Sequence, residues 1–180
     1  MLKNTQTNYG SVAKFFHWLI FIVVVWQFIV GFFVEDMEKL LRVSSLFPLH
    51  KLIGLATLLI IALRLLWLVY NPKPILPAAG KNWERFLAHA THALLYVSII
   101  VMSLSGWMMS TAAGKAPKLG SYTLPMPGVS ISKTLSTQAG DVHLIAAWVL
   151  LAFVSLHILA ALKHHFINKD NVLKRMLPGK

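Results

Sequence analysis

The sequence predicts an all-α integral membrane protein, a bundle of four transmembrane helices that run up, down, up and down. Hydrophobic residues make up 57% of the 180 residues, and charged residues make up only 13%. The apolar residues gather in long blocks instead of alternating along amphipathic faces, and four blocks are long enough to cross a bilayer. A small soluble domain has neither property, so we expect one membrane domain over residues 1–180.

The four predicted spans are separated by polar or irregular connections. They cover about residues 13–34, 49–70, 86–111 and 142–166. The segment NPKPILPAAGKN, residues 71–82, predicts a turn between the second and third spans, because proline breaks a helix. The longest connection, residues 114–140, mixes apolar residues with proline and glycine. We expect it to fold back over one end of the bundle.

Basic residues are distributed unequally between the two ends of the predicted bundle. The end with both termini, here called the inner end, has eleven of them: Lys3, Lys14, Arg64, Lys73, Lys81, Arg85, Lys163, Lys169, Lys174, Arg175 and Lys180. The opposite, outer end has six: Lys39, Arg42, Lys51, Lys115, Lys118 and Lys133. The positive-inside rule therefore predicts that both termini are cytoplasmic. The net charge of +11 is explained by helix ends that meet anionic lipid, so nucleic acid is not an expected partner.

Histidines within the predicted spans are candidates for function, because ionisable residues there are rare and usually face the bundle interior. Only His50 and His143 lie towards the outer end. Six histidines lie towards the inner end: His17, His89, His92, His157, His164 and His165. On the fourth span, His143 and His157 are fourteen residues apart, so they share one helix face about 21 Å apart along its axis.

The same interval of fourteen residues connects other marked positions. Gly31 follows His17 by fourteen residues, Arg64 follows His50, and Gly106 follows His92. Glycine allows a broad, flat group to lie against the backbone, and Gly54, one turn from His50, would serve the same purpose. Small residues in membrane helices also serve close helix packing, so the glycines alone leave both interpretations open.

Pairs of histidines on different helices predict a particular cofactor. The sequence has no cysteine, and the predicted spans contain no aspartate or glutamate. Zinc usually takes three or four protein ligands and di-iron sites need carboxylates, whereas haem b is held by two imidazoles. We therefore expect two haem b groups, one in each leaflet. His50 and His143 form the outer pair, while geometry permits either His17 or His92 as the partner of His157.

Five segments of the chain resemble the bacterial cytochrome b561 family. They are HWL at 17–19, HKLIGLATLLIIALRLLW at 50–67, LAHATH at 87–92, DVHLIAAWVLLAFVSLHILAALKHHF at 141–166 and KDNVLKRMLP at 169–178. Together they extend over nearly the whole chain, and the likeness is weakest over residues 112–140. Within the family, the sequence is most similar to the four-helix superoxide oxidases, which are superoxide:ubiquinone oxidoreductases.

The resemblance implies the haem ligands, the reaction and the location. It assigns His50 and His143 to the outer haem, and His17 and His157 to the inner haem. It places His164 beside ubiquinone. The implied reaction takes electrons from periplasmic superoxide and delivers them through the two haems to ubiquinone near the cytoplasmic side, in the inner membrane of a bacterium.

Other residues have predicted roles around these haems. Arg64 and Lys51 are natural partners for haem propionates, since a buried carboxylate needs a cation or several donors. His92, if it is not a ligand, hydrogen-bonds a propionate or a backbone carbonyl. The outer basic residues would draw a small anion such as superoxide towards the outer haem. This steering set is Lys51, Arg42, Lys115, Lys118 and Lys133.

Two other functions remain open from the sequence. One is a di-haem electron conduit between the quinone pool and another redox partner, such as a hydrogenase-type subunit. The other is a haem-free metal transporter that uses His50, His143 and His157 as ion ligands. The sequence is compatible with a monomer or a homo-oligomer.

Overall fold

The computed structural model describes residues 1–72, 74 and 82–178, without the side chains of Asn82 and Arg85. Four long helices form the bundle: α1 (Ser11–Leu41), α2 (Leu46–Tyr70), α3 (Asn82–Ala112) and α4 (Lys133–Phe166). Each contains a stretch long and apolar enough to cross a membrane. The predicted all-α membrane bundle is confirmed. Most of the predicted 71–82 turn, with Lys73 and Lys81, lies outside the described residues, as does Lys180.

The helices pack in the order of the chain. Close backbone contacts join α1 to α2, α2 to α3, and α3 to α4. α1 and α4 meet through side chains, including the rings of Phe32 and Trp148, whose centroids are 5.3 Å apart. The bundle is therefore tightest along three seams, and its fourth seam is bridged by aromatic and histidine rings.

An apolar core lies halfway along the bundle. All four helices contribute to it: Ile20, Val24, Ile61, Ile99 and Leu150. Leu150 is seven residues from His143 and seven residues from His157, so it lies about 10 Å from each along α4. The core thus forms an apolar layer between two layers of histidines.

All four helices extend beyond the predicted spans, and two of them, α1 and α4, differ most. α1 departs from helical geometry at Phe33 (φ −121°, ψ 16°), beside the predicted end at 34, but it continues to Leu41. α4 begins at Lys133, nine residues before the predicted start at 142, and Ser132 caps it by accepting a hydrogen bond from the Leu135 backbone N–H. The apolar pattern located the membrane spans and missed the polar turns that continue beyond them.

The connection between α3 and α4 folds back over the outer end. Within it, β1 (Lys118–Leu119) and β2 (Tyr122–Thr123) form a short antiparallel hairpin. Gly120, in the hairpin turn, has a φ of +60°, which favours glycine. The Trp107 Nε1–H donates to the Leu124 carbonyl at 2.9 Å, so the connection is bonded to α3.

Both terminal segments fold over the inner end. The Asn4 side chain accepts from the Gly10 N–H at 2.8 Å and donates to the Pro72 carbonyl at 3.0 Å. A short 3-10 helix, Lys174–Met176, follows α4. The Trp18 Nε1–H donates to the Met176 carbonyl at 2.9 Å, which joins the C-terminal segment to α1.

Candidate functional site

The outer histidine pair lies beside a cavity. His50 is in the first turns of α2 and His143 is in the third turn of α4, and their ring centroids are 6.4 Å apart with planes at 85°. Both residues are half-buried and line a cavity of about 270 Å³. Most of its walls are apolar, and Gly31, Gly54 and Gly106 also line it. The structure therefore brings together the predicted outer pair and the predicted glycines.

Two of these glycines lie directly against the histidine rings. A Cβ atom at Gly106 would lie 2.8 Å from Cε1 of His143, and one at Gly31 would lie 3.3 Å from Cε1 of His50. Each outer imidazole thus occupies space that a side chain on the neighbouring helix would fill. The structure shows a close approach between each glycine and the imidazole ring on a neighbouring helix. That a flat group lies against the same glycines remains a prediction.

Hydrogen bonding prepares His143 as a metal ligand. Its Nδ1 lies 2.9 Å from the Met102 carbonyl oxygen, and Ser105 Oγ lies 3.3 Å from the same nitrogen. A carbonyl oxygen can only accept, so Nδ1 carries the proton and the Nε2 lone pair is available to a metal. His50 differs, because its buried Nδ1 has no hydrogen-bond partner among the described residues.

Three histidine rings converge at the inner site. The centroid of His157 on α4 is 6.1 Å from that of His17 on α1 and 5.3 Å from that of His92 on α3. His17 and His157 are half-buried, whereas His92 is exposed. The structure therefore brings together all three predicted candidates, and both possible partners contact His157.

Ring spacing tests whether these pairs fit an iron between them. Two imidazoles that bind one metal from opposite sides, through bonds of about 2 Å, would have ring centroids about 6 Å apart. The separations of 6.4 Å for the outer pair and 6.1 Å for His17 and His157 fit this geometry, and the 5.3 Å separation of His92 is shorter. Within the described ranges, no group of three or more His, Cys, Asp or Glu residues is arranged to hold a metal ion.

Arg64 lies at the inner end, beside tyrosines. Its Nε–H donates to the Tyr96 hydroxyl at 2.9 Å. Arg64 also lines a small cavity of about 40 Å³ with Tyr9 and Trp67. Burial raises the pKa of Tyr9, although the Arg64 charge opposes the shift, so this hydroxyl stays neutral. The side chains around Arg64 are thus hydrogen-bond donors, as a carboxylate such as a propionate requires.

Two members of the predicted steering set lie in different environments. Lys51 lines the outer cavity, donates from Nζ to the Lys115 carbonyl at 3.0 Å, and lies 4.7 Å from the centre of the Phe47 ring. Arg42 is exposed at the C-cap of α1 and is not among the described residues that line this cavity. Of these two cations, Lys51 is therefore the nearer to the predicted outer haem.

His164 lies at the centre of a hydrogen-bonded turn at the end of α4. Its Nδ1 is 2.5 Å from Asp170 Oδ2, and the Asp170 N–H donates to the His164 carbonyl at 3.1 Å. Partial burial favours the neutral form of Asp170, but hydrogen bonds from the Val172 N–H and from His164 outweigh it, and the pKa of Asp170 is lowered. With Nδ1 engaged by a carboxylate, Nε2 of His164 is the nitrogen that remains for a substrate.

Three residues at these sites escaped the sequence analysis. Gln27 donates from Nε2 to the His50 carbonyl at 3.1 Å, Tyr96 holds Arg64, and Asp170 holds His164. Gln27 had a signal, because it is the one amide side chain within the predicted apolar spans. Tyr96 and Asp170 had none, since a tyrosine within a span and an aspartate in a polar tail are ordinary.

Comparisons with known proteins give the family. Residues 8–179 match the family model described as prokaryotic cytochrome b561. Cytochrome b561 homolog 2 of Escherichia coli (strain K12) is 34% identical over 97% of this chain and 93% of that relative. The probable superoxide oxidase CybB of Yersinia pestis is 28% identical over 96% of this chain and 97% of that relative.

The family match covers all four helices and the C-terminal segment. The family consists of helical membrane proteins that bind haem b and carry out redox chemistry. The apolar bundle, the histidine pairs and the sequence match agree in this respect. The chain therefore belongs to the prokaryotic cytochrome b561 family.

Proposed function

We propose that this protein is a di-haem b oxidoreductase that takes electrons from superoxide at its outer end and delivers them to ubiquinone at its inner end. The observation that carries the proposal is the pair of neighbouring imidazoles in each half of the bundle, with ring centroids 6.4 Å and 6.1 Å apart. The printed name of the Yersinia pestis relative supports superoxide as the electron donor.

In this proposal the chain holds each haem with two histidines. His50 and His143 hold the outer haem, and His17 and His157 hold the inner haem. Haem b, when bound, would supply one-electron transfer, since two histidines holding each iron would leave substrates no direct access to it. Met102 keeps His143 in the tautomer that a metal needs. The apolar core around Leu150 excludes water between the two sites.

The overall reaction balances with two turnovers of superoxide. Each superoxide anion loses one electron and leaves as dioxygen, and ubiquinone gains two electrons and two protons to become ubiquinol. Lys51 raises the local concentration of the anion at the outer cavity. The charge pattern supports an arrangement with the outer end in the periplasm and both termini in the cytoplasm.

His164 is the proposed proton donor at the inner end. The Asp170 carboxylate fixes the His164 ring through Nδ1. Nε2–H then donates a hydrogen bond to a ubiquinone carbonyl and passes one proton as the quinone is reduced. The residue that precedes His164 is Lys163, and its ammonium forms an ion pair with Glu84 at 2.9 Å.

The test begins with the purified protein in detergent. We expect two haem b per chain by pyridine haemochrome assay, rapid haem reduction by superoxide in stopped flow, and one ubiquinol formed per two superoxide anions. A colourless protein, or one haem per chain, would overturn the proposal. Haem that is reduced by ubiquinol but not by superoxide would favour the electron conduit to another redox partner.

A pair of variants separates the two ends of the reaction. His164→Gln should slow haem oxidation by ubiquinone and leave haem reduction by superoxide unchanged. His165→Gln, one residue further along the same helix, is the matched control and should leave both rates close to those of the wild type. Equal rates of quinone reduction in His164→Gln and the wild type would remove His164 from the proposed site.

A further inference from the structure

An amide side chain lies where apolar residues are expected. Gln27 is in α1 between two runs of valine, isoleucine and phenylalanine, and it lines the outer cavity. Polar groups are costly within a membrane span and usually have a defined partner. What the Gln27 amide contacts is therefore informative.

One end of this amide is engaged by His50. Gln27 Nε2 donates to the His50 backbone carbonyl at 3.1 Å. Because a carbonyl oxygen only accepts, this bond fixes which end of the amide faces the backbone of α2. The opposite end, Oε1, is an acceptor directed elsewhere.

Two buried polar atoms on this pair of residues lack partners. Among the described residues, neither Oε1 of Gln27 nor Nδ1 of His50 has a hydrogen-bond partner, and both atoms are shielded from solvent. One is an acceptor and the other becomes a donor when His50 is neutral and uses Nε2 for a metal. Each atom supplies what the other needs.

The neighbouring glycine places the His50 ring beside this part of α1. Gly31 is four residues after Gln27 and hence on the same helix face. A Cβ atom at Gly31 would lie 3.3 Å from Cε1 and 4.0 Å from Nδ1 of His50. The imidazole therefore packs against the turn of α1 that follows the Gln27 amide.

We propose that Gln27 is the positioning residue for His50, with Oε1 accepting the Nδ1–H hydrogen bond when Nε2 binds the outer haem iron. This inference rests on the outer haem of the proposed function. Metal-bound histidines usually donate their second ring nitrogen to an acceptor that fixes the ring and raises its basicity. His143 uses the Met102 backbone for this purpose, whereas His50 uses a side chain. The midpoint potential of the outer haem thus depends partly on a side chain, which a mutation can change.

The deciding variant is Gln27→Met, which keeps the length of the side chain but offers no comparable acceptor. We expect two haems per chain and an upward shift of the outer haem midpoint potential in a spectroscopic redox titration, because a less basic imidazole stabilises ferric iron less. The inner haem potential should not move. The wave that disappears in His143→Ala identifies the outer haem.

A control and a second variant complete the test. Gln138→Met, at an exposed position of α4, should shift neither potential. Gln27→Glu should shift the outer potential downward, since a carboxylate is a stronger acceptor. Proton ENDOR of the ferric protein should show a changed exchangeable Nδ1 proton in Gln27→Met and in Gln27→Glu, and an unchanged one in Gln138→Met.

Unchanged outer potential in Gln27→Met, with both haems bound, would overturn the inference and assign the acceptor to a backbone carbonyl. Equal shifts of both potentials would also overturn it, because a hydrogen bond to one ligand acts on one haem. A wild-type protein without an outer haem would instead mean that the proposed function has failed, which the haem assay shows separately.

Discussion

The outer and inner histidine sites lie on the same face of α4, yet they have different surroundings. The outer site has two rings, two glycines packed against them and a cavity of about 270 Å³. The inner site has three rings, of which His157 contacts both His17 and His92, and the C-terminal segment is bonded to α1 at this end. Where only two candidates exist, depth alone predicts a ligand pair. Where a third ring is present, the ligands must be separated by experiment.

The charges near the two sites differ as well. The outer cavity has Lys51 at its rim, where the ammonium also bonds the Lys115 carbonyl. At the inner end, Arg64 is held by Tyr96 and lies beside the neutral Tyr9. Under the proposed function, the outer cation would meet a diffusing anion, and the inner cation would neutralise a haem propionate.

Removal of one predicted ligand of the outer haem should have the largest effect on haem content and activity. His143→Ala leaves the outer iron with one protein ligand, so we expect haem content to fall from two to one per chain and superoxide oxidation to be lost. The pyridine haemochrome assay and stopped flow measure both. His89→Ala, on a histidine that is not a predicted ligand of either haem, is the control and should keep two haems. Full haem content in His143→Ala would remove this residue from the ligand set.

Removal of one ligand should have a smaller effect at the inner site, because a third imidazole is present there. His17→Ala should weaken or lose the inner haem, with part of the signal retained if His92 replaces the missing ligand. His92→Ala should keep two haems with unchanged spectra. Low-temperature optical spectra and EPR of the ferric form distinguish the two haems. Loss of the inner haem in His92→Ala, but not in His17→Ala, would exchange the roles of these residues.

The glycines should show a graded effect that is confined to the outer site. Gly106→Ala places a methyl group 2.8 Å from the His143 ring, and such overpacking costs about 1–3 kcal/mol. We expect weaker retention of the outer haem, measured by haem transfer to an acceptor protein. Gly31→Ala, at 3.3 Å from His50, should have the same effect in a weaker form. A larger loss in Gly31→Ala would contradict this ranking.

Charge at the outer rim should have the smallest effect. Lys51→Gln should reduce the rate of superoxide oxidation a few-fold at low ionic strength, with both haems retained, and the difference should shrink as salt is added. Stopped flow over a salt series measures it. Lys133→Gln, at the exposed start of α4, is the matched control with a smaller expected change. A rate in Lys51→Gln equal to the wild type at all salt concentrations would exclude steering by this residue.

The sequence predicted the architecture better than the details of the site. Four apolar blocks were sufficient for four helices, because a membrane allows no other spanning structure for such segments. The start of α4 was misplaced since residues 133–141 are helical but polar. The outer pair could be chosen because His50 and His143 had no competitors. Gln27 was missed because its observed partner is a backbone carbonyl on another helix. A pattern of residue types along the sequence does not reveal such a contact.

The closure of the inner end has a consequence for how the protein is made. Trp18 is in the first helix to leave the ribosome, but the Met176 carbonyl that it binds is 158 residues later. The contact between Trp18 and Met176 therefore cannot form until the C-terminal segment has been synthesised, after all four helices. A chain cut after Phe166 would retain the four helices but lack this contact over the inner end. A haem could then enter the inner site without displacement of the C-terminal segment.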